Sequence, residues 1–363
     1  MLSFLPKLLL FSVLFQSALA ALTWKTFDIS SLLLEESKKV SYRDVNGDAK
    51  PLETIIKENG ANSIKIRIWV NPADGVYNLD YALTLGARAK AAGLGVVLNL
   101  HYSDSWTDPG HQTTPAAWAS LGIDALVAQV RTYTTNVMNA FAGQGITVQL
   151  VSIGNEIRAG FLWPLGKYDN FANMGRLLTA GIQGVKSSRS SSTLTMIHLD
   201  EGYSWSTQKW FYDTLAASGT FSMSSFDIQG VSYYPFWSAT GSTLENFQTT
   251  VNNMASTYQK RIVVMETDWP VRCNNPSQIP TSLTSAFPFS AAGQSSWAAR
   301  VATIVKAIPN SLGAGVMYWE PGWIDNQVLG SPCDDNVLFD GDWSNANAVV
   351  ARARSSINMM AAI

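Results

Sequence analysis

Two glutamates in this sequence each stand at the abrupt end of an apolar run. Glu156 follows TVQLVSI (147–153) and the turn pair Gly154-Asn155, and Glu266 closes RIVVM (261–265). A lone acid at such a place is most simply the partner of a nearby Arg or Lys. Two that converge on one cleft can do more. One carboxyl can keep its proton through partial burial and a neighbouring negative charge. The other, ionised, can attack carbon or activate water. Glycoside hydrolysis needs this division of labour.

The residues around the two acids fit the same chemistry. The chain holds 13 Trp, and flat rings stack on sugar faces while nearby polar groups fix the hydroxyls. Trp106, Trp269 and Trp319 are expected to line the cleft. His101 and His198, also at the ends of apolar runs, are expected to hydrogen-bond substrate or a glutamate. Other chemistries find little support. The three histidines lack zinc-binding spacing, and no GxSxG elbow or cysteine nucleophile motif occurs. DVNGD (44–48) carries oxygen ligands but lacks the closing Glu of a calcium loop, so it reads as a turn.

The elements that must position these residues are eight short apolar runs, at 22–30, 63–70, 94–102, 147–154, 194–200, 226–234, 261–267 and 313–320. Several are continuous in Val, Ile and Leu, as expected of parallel strands buried on both faces. Amphipathic segments lie between them. One carries Leu126, Val130, Tyr133, Val137 and Phe141 after a candidate cap, Asp124; another carries Phe171, Met174, Leu178, Ile182 and Val185 after Asp169. A third, with Trp297, Val301, Ile304 and Ile308, stops at Pro309. This alternation predicts an α/β fold, a single (β/α)8 TIM barrel spanning 21–363. A doubly wound sheet would need a glycine-rich loop after its first strand, and none is present. In a barrel the active site lies at the C-terminal ends of the strands, where both glutamates fall.

Composition sets the wider limits. Of 363 residues 47% are hydrophobic and 14% charged, with a formal net charge of -2 and no basic block, which argues against a nucleic-acid partner. Lys7, the apolar core 8–15 and Ala18-Leu19-Ala20 read as a secretory signal peptide over 1–20, and its core is too short to span a bilayer. A secreted protein with no membrane anchor is expected. In an oxidising compartment the two cysteines, Cys273 and Cys333, are expected to pair; the alternative is two buried free thiols. The only Asn-x-Ser/Thr triplet, Asn275-Pro276-Ser277, is excluded by its proline.

IGNEIRAG (153–160) with LWP (162–164) closely resembles the acid/base motif of family 53 glycoside hydrolases, the endo-β-1,4-galactanases. RIWVNPADG (67–75), HYSDSWTDP (101–109), IHLD (197–200), VSYYPFW (231–237), VMETDWP (264–270) and YWEP (318–321) match in order, so the resemblance covers essentially the whole mature chain. It implies a retaining barrel glycosidase of clan A with Glu156 as acid/base and Glu266 as nucleophile. Asn155 would bind the sugar 2-hydroxyl, Arg67 and Tyr234 would orient the nucleophile, and Trp319 would floor the cleavage subsite. His101 and Asp200 would contact substrate or support groups that do. The cysteine pair places the chain with the fungal type, for which no metal and no cofactor are expected. The expected partner is β-1,4-galactan of pectin side chains, attacked by a monomer. The alternatives are the same machinery on mannan, glucan or xylan, or a catalytically inactive carbohydrate-binding barrel.

Overall fold

The computed structural model describes residues 21–345 and 347–363; the expected signal peptide lies outside the described residues. Eight parallel strands close into a barrel: β1 (Trp24–Asp28), β2 (Ser63–Ile68), β3 (Gly95–Leu100), β4 (Val148–Ile153), β5 (Leu194–Leu199), β6 (Ile228–Ser232), β7 (Arg261–Glu266) and β8 (Gly313–Tyr318). Each corresponds to one of the eight apolar runs, trimmed at its ends. Helices follow the first seven strands: α1 (Leu52–Glu58), α2 (Leu79–Ala91), α3 (Ile123–Gly143), α4 (Phe171–Lys186), α5 (Trp205–Ala217), α6 (Leu244–Tyr258) and α7 (Ala291–Lys306). The expected helical stripes on α3, α4 and α7 are buried, except that Tyr133 on α3 is half-buried and Ile308 lies just past the end of α7.

Two capping expectations are corrected. The side chain that caps α4 is Asn170, which accepts from the Asn173 N–H, and not Asp169. Gly122 precedes α3, and Asp124 sits within the first turn, where an acid suits the positive end of the helix dipole. DVNGD does form a turn, closed by Asp44 Oδ1 accepting from the backbone N–H groups of Asn46 and Asp48. A feature not foreseen is a small sheet of residues 41–43, 339–342 and 350–353 beside the barrel. Its strands are three or four residues long and mixed in polarity, too short to show a period.

The barrel interior changes character along its axis. Its lower part is filled by Trp24, Val97, Leu150, Met196, Ile228 and Val263. Higher up, Thr26 and Ser63 hydrogen-bond across at 2.6 Å, and then come ionised groups. Strand β2 shows how one sequence does this. Ile64, Ile66 and Ile68 pack toward the helices, while Ser63, Lys65 and Arg67 alternate onto the inner face.

Candidate active site

A cleft of about 830 Å³ opens at the C-terminal rim, lined by residues that include Glu156, Glu266, Trp106, Asp200, Tyr234 and Trp319. Below the two glutamates it deepens into a recess of about 30 Å³, walled by Asp28, Lys65, Arg67, Asn99, His101 and Asn155 among others. The expected pair therefore shares one site.

The two acids reach it differently. In β7, Val263 and Met265 belong to the interior cluster and Val264 to the outer core. Strict alternation would send Glu266 outward. The register with β6 slips here: Val231 pairs with Val264 and Ser232 with Glu266, so Met265 is an extra residue. This β-bulge turns Glu266 back into the mouth, as bulges beside functional sites do. Glu266 is then held on both oxygens, Oε1 by Lys65 Nζ at 2.6 Å and Oε2 by the Tyr234 hydroxyl at 2.9 Å. Lys65 also pairs with Asp28 at 3.0 Å and is 1% exposed. A buried lysine between two carboxylates keeps the charges compensated.

Glu156 sits on no strand. Gly154 has φ +91, where a Cβ would also meet Ile157 Cγ2 at 2.5 Å, so glycine is required there. Glu156 itself is left-handed, at φ 49 and ψ 50. Tyr102, Glu201 and Glu320, each just past a strand end, share this positive φ. Such backbone costs about 1–3 kcal/mol per residue and gathers at functional sites. The kink lets two consecutive residues, Asn155 and Glu156, both serve the site. Lost hydration pushes the Glu156 carboxyl well above the usual range, and the charges of Glu266 and Asp200 add to the effect.

Asn155 is locked by its neighbours. Its Oδ1 accepts from Asn99 Nδ2 at 2.7 Å and from His198 Nδ1 at 3.0 Å, and its Nδ2 donates to the Thr107 carbonyl at 2.9 Å. One N–H remains to offer a ligand. Burial pushes His198 well below its ordinary range, so it is neutral. With Nδ1 donating, its Nε2 accepts from the Ser232 hydroxyl at 2.9 Å. His101 is also neutral by burial. Its Nδ1 accepts from Trp69 Nε1 at 3.3 Å, which leaves Nε2–H as a donor.

Several expectations need correction. Arg67 does not touch Glu266. Its guanidinium pairs with Glu320 at 2.6 Å, donates to Ser31 and lies over the rings of Tyr77, Trp106 and Trp323. The cation on Glu266 is Lys65, one alternation earlier on the same strand. Trp269 is not in the cleft. It is fully buried against Phe287, Phe289 and Trp297, with Nε1 donating to the Pro288 carbonyl, because its position past β7 faces the helical layer. His198 is wholly buried behind Asn155 and supports it without reaching the cleft surface. Asp200 lines the cleft, but paired with Arg158 at 2.9 Å. Trp106 and Trp319 meet edge to face at 6.2 Å on the cleft wall.

Lys65, Asp28, Asn99, Ser232 and Asp268 were missed. A signal for Lys65 existed: two cations in the apolar run SIKIRIWV can only face the barrel interior. Cys273 and Cys333 are bonded and join the segments that follow β7 and β8. Among the described residues no group of three or more His, Cys, Asp and Glu side chains could hold a metal ion.

Known proteins resemble this whole arrangement. A probable arabinogalactan endo-beta-1,4-galactanase A of Aspergillus fumigatus is 49% identical over 348 residues, 95% of each chain. An arabinogalactan endo-beta-1,4-galactanase A of Aspergillus niger is 48% identical over 335 residues, 92% of this chain and 95% of the relative. A solved structure from a study of two fungal beta-1,4-galactanases superposes with TM-score 0.88 at 47% identity, covering 94% of this chain and all of that one. The family model for glycosyl hydrolase family 53 matches residues 24–351, a span that holds every barrel strand and both cleft glutamates. By sequence, barrel and cleft alike, the chain belongs to glycosyl hydrolase family 53.

Proposed function

We propose that this chain is a secreted, retaining endo-β-1,4-galactanase that cuts β-1,4-linked galactan of type I arabinogalactan. One observation carries the reading: two glutamates share a cleft in opposite electrostatic settings. Glu266 is held by a lysine and a tyrosine hydroxyl, and Glu156 keeps its proton through burial and neighbouring negative charge. The activity named for the fungal relatives supports the choice of sugar.

In the first step a Glu266 oxygen attacks the anomeric carbon. The bond to the leaving oxygen breaks, and that oxygen takes the proton from Glu156. Tyr234 and Lys65 fix the attacking carboxylate, which lowers the cost of reaching the aligned geometry. Asn155 offers its free N–H to the sugar held over Trp319. In the second step water gives a proton to Glu156 and attacks the same carbon, which releases Glu266. Configuration is kept because it inverts twice. The leader-like residues 1–20 and the single disulfide support an extracellular enzyme. We expect it to act as a monomer without cofactor.

Reducing-sugar release from β-1,4-galactan, mannan, xylan and β-glucan tests the substrate. Galactan is expected to be cleaved fastest, with oligosaccharides appearing before galactose. Faster release from another polymer would reassign the sugar, and release of galactose alone would refute endo action. Proton NMR of the first product is expected to show the β-anomer.

A further inference from the structure

The end of β7 presents a second acid to the cleft, two residues past Glu266. Past the bulge, alternation resumes. The Thr267 hydroxyl points away from the cleft, donating to the Tyr233 carbonyl and accepting from Trp297 Nε1. Asp268 therefore faces the same way as Glu266, and it lines the cleft beside Glu266 and Trp319 while only 1% exposed. Its Oδ1 accepts from the backbone N–H of Trp319 at 3.2 Å. The Thr267 carbonyl accepts from the same N–H, also at 3.2 Å, so two consecutive residues past Glu266 tie the end of its strand to the residue whose ring floors the cleft.

Charge counting shows what state this acid is in. Lys65 is shared by Asp28 and Glu266, and Arg67 is taken by Glu320. Among the described residues no cation lies within ion-pair distance of Asp268. The charged groups that bear on it are Glu266 first, then Lys65, which acts in the opposite direction, and Asp28; the hydroxyls of Tyr234 and Tyr318 also feel its charge. An ionised Asp268 would be a third carboxylate around one lysine, in a buried place. Burial, with the Glu266 charge, pushes its carboxyl well above the usual range.

We propose that Asp268 is a positioning residue that works as an uncharged acid: it pins Trp319 through Oδ1 and offers its O–H to a hydroxyl of the sugar resting on that ring. This rests on the galactanase reading, and it adds a residue to which no role had been given. It requires that an amide can replace the acid while a methyl group cannot, because Asn keeps both the acceptor for Trp319 and a donor toward the sugar.

The test compares Asp268→Asn and Asp268→Ala with the intact enzyme on β-1,4-galactan, after thermal melting shows that each variant is folded. If the intact enzyme fails on galactan the parent reading fails, and the variants are then compared on whichever polymer it does cleave. Asp268→Asn is expected to keep kcat/KM within about threefold. Asp268→Ala is expected to lose tenfold or more, mainly through KM, as the floor of the subsite shifts. Above the optimum, the intact enzyme should lose activity with two ionisations, from Glu156 and Asp268, and Asp268→Asn with one. Equal damage in both variants would show that the negative charge is required and would overturn the proposal. So would an Asp268→Ala enzyme indistinguishable from the intact one.

Discussion

The ends of β4 and β7 each deliver one glutamate to the same cleft, and the backbone does it in opposite ways. At β4 the chain leaves the sheet through two positive-φ residues, Gly154 and Glu156, so the acid rides on a kink beyond the strand. At β7 the acid stays within the strand, and a bulge turns it inward. The electrostatics follow the geometry. Glu266 meets a buried lysine, whereas Glu156 meets other acids. The same side chain becomes a fixed anion in one place and a proton reservoir in the other. Position relative to the barrel wall decides the role.

Removing each acid should widen that contrast. Glu266→Ala should cost the most, roughly 10⁴-fold or more in kcat, with azide restoring turnover as the α-galactosyl azide. Rescue to the β-azide instead would assign the nucleophile elsewhere. Glu156→Gln should lose about 10²–10⁴-fold on galactan and far less on substrates with good leaving groups. Its pH profile carries a sign. A raised carboxyl is protonated at low pH, so activity that needs the acid form falls as pH rises through that high value. The glutamine variant should lose the Glu156 ionisation from the alkaline limb and keep only that of Asp268, and a limb that persists unchanged would remove Glu156 from the acid role.

Lys65→Met breaks the buried cation between Asp28 and Glu266. We expect a loss of about 3–5 kcal/mol in denaturant titration, with a fall in kcat, because two carboxylates are left uncompensated. Two tryptophans sharpen the division between wall and core. Trp269→Ala should cost about 3–5 kcal/mol of stability, whereas Trp319→Ala should raise KM and leave the melting temperature nearly unchanged. Reduction of Cys273–Cys333 should cost about 2–4 kcal/mol and leave the kinetics of the folded enzyme close to native.

Much of the fold was legible because parallel strands buried on both faces leave continuous apolar runs. The eight runs became the eight strands with only their ends trimmed. The two acids were legible for the same reason, since each interrupts such a run. What stayed hidden depended on which way a side chain points. Arg67 and Lys65 lie two apart on one face of β2, and only the barrel's depth decides which meets Glu266. Trp269 reads like a cleft aromatic because it sits three residues beyond Glu266. Yet the bulge shifts the alternation by one, and that sends it to the helices. The small sheet left no signal, since three- and four-residue strands carry no period.

The bulge at Met265 also has an evolutionary side. A one-residue change in the length of a strand normally turns every later side chain to the other face. Here the bulge has already absorbed one extra residue, because Met265 is skipped in the pairing with β6 and Glu266 sits opposite Ser232. If Met265 were paired with Ser232 instead, Glu266 would be aimed at the helices. Such a chain could still build a barrel, with its cleft present and its nucleophile facing the wrong way. Loss of one residue between Ile262 and Met265 would remove the bulge and still leave Glu266 opposite Ser232, whereas a further insertion would need a second bulge. Sequence changes in this segment should therefore be common as apolar substitutions, tolerated as a single-residue gap and rare as insertions.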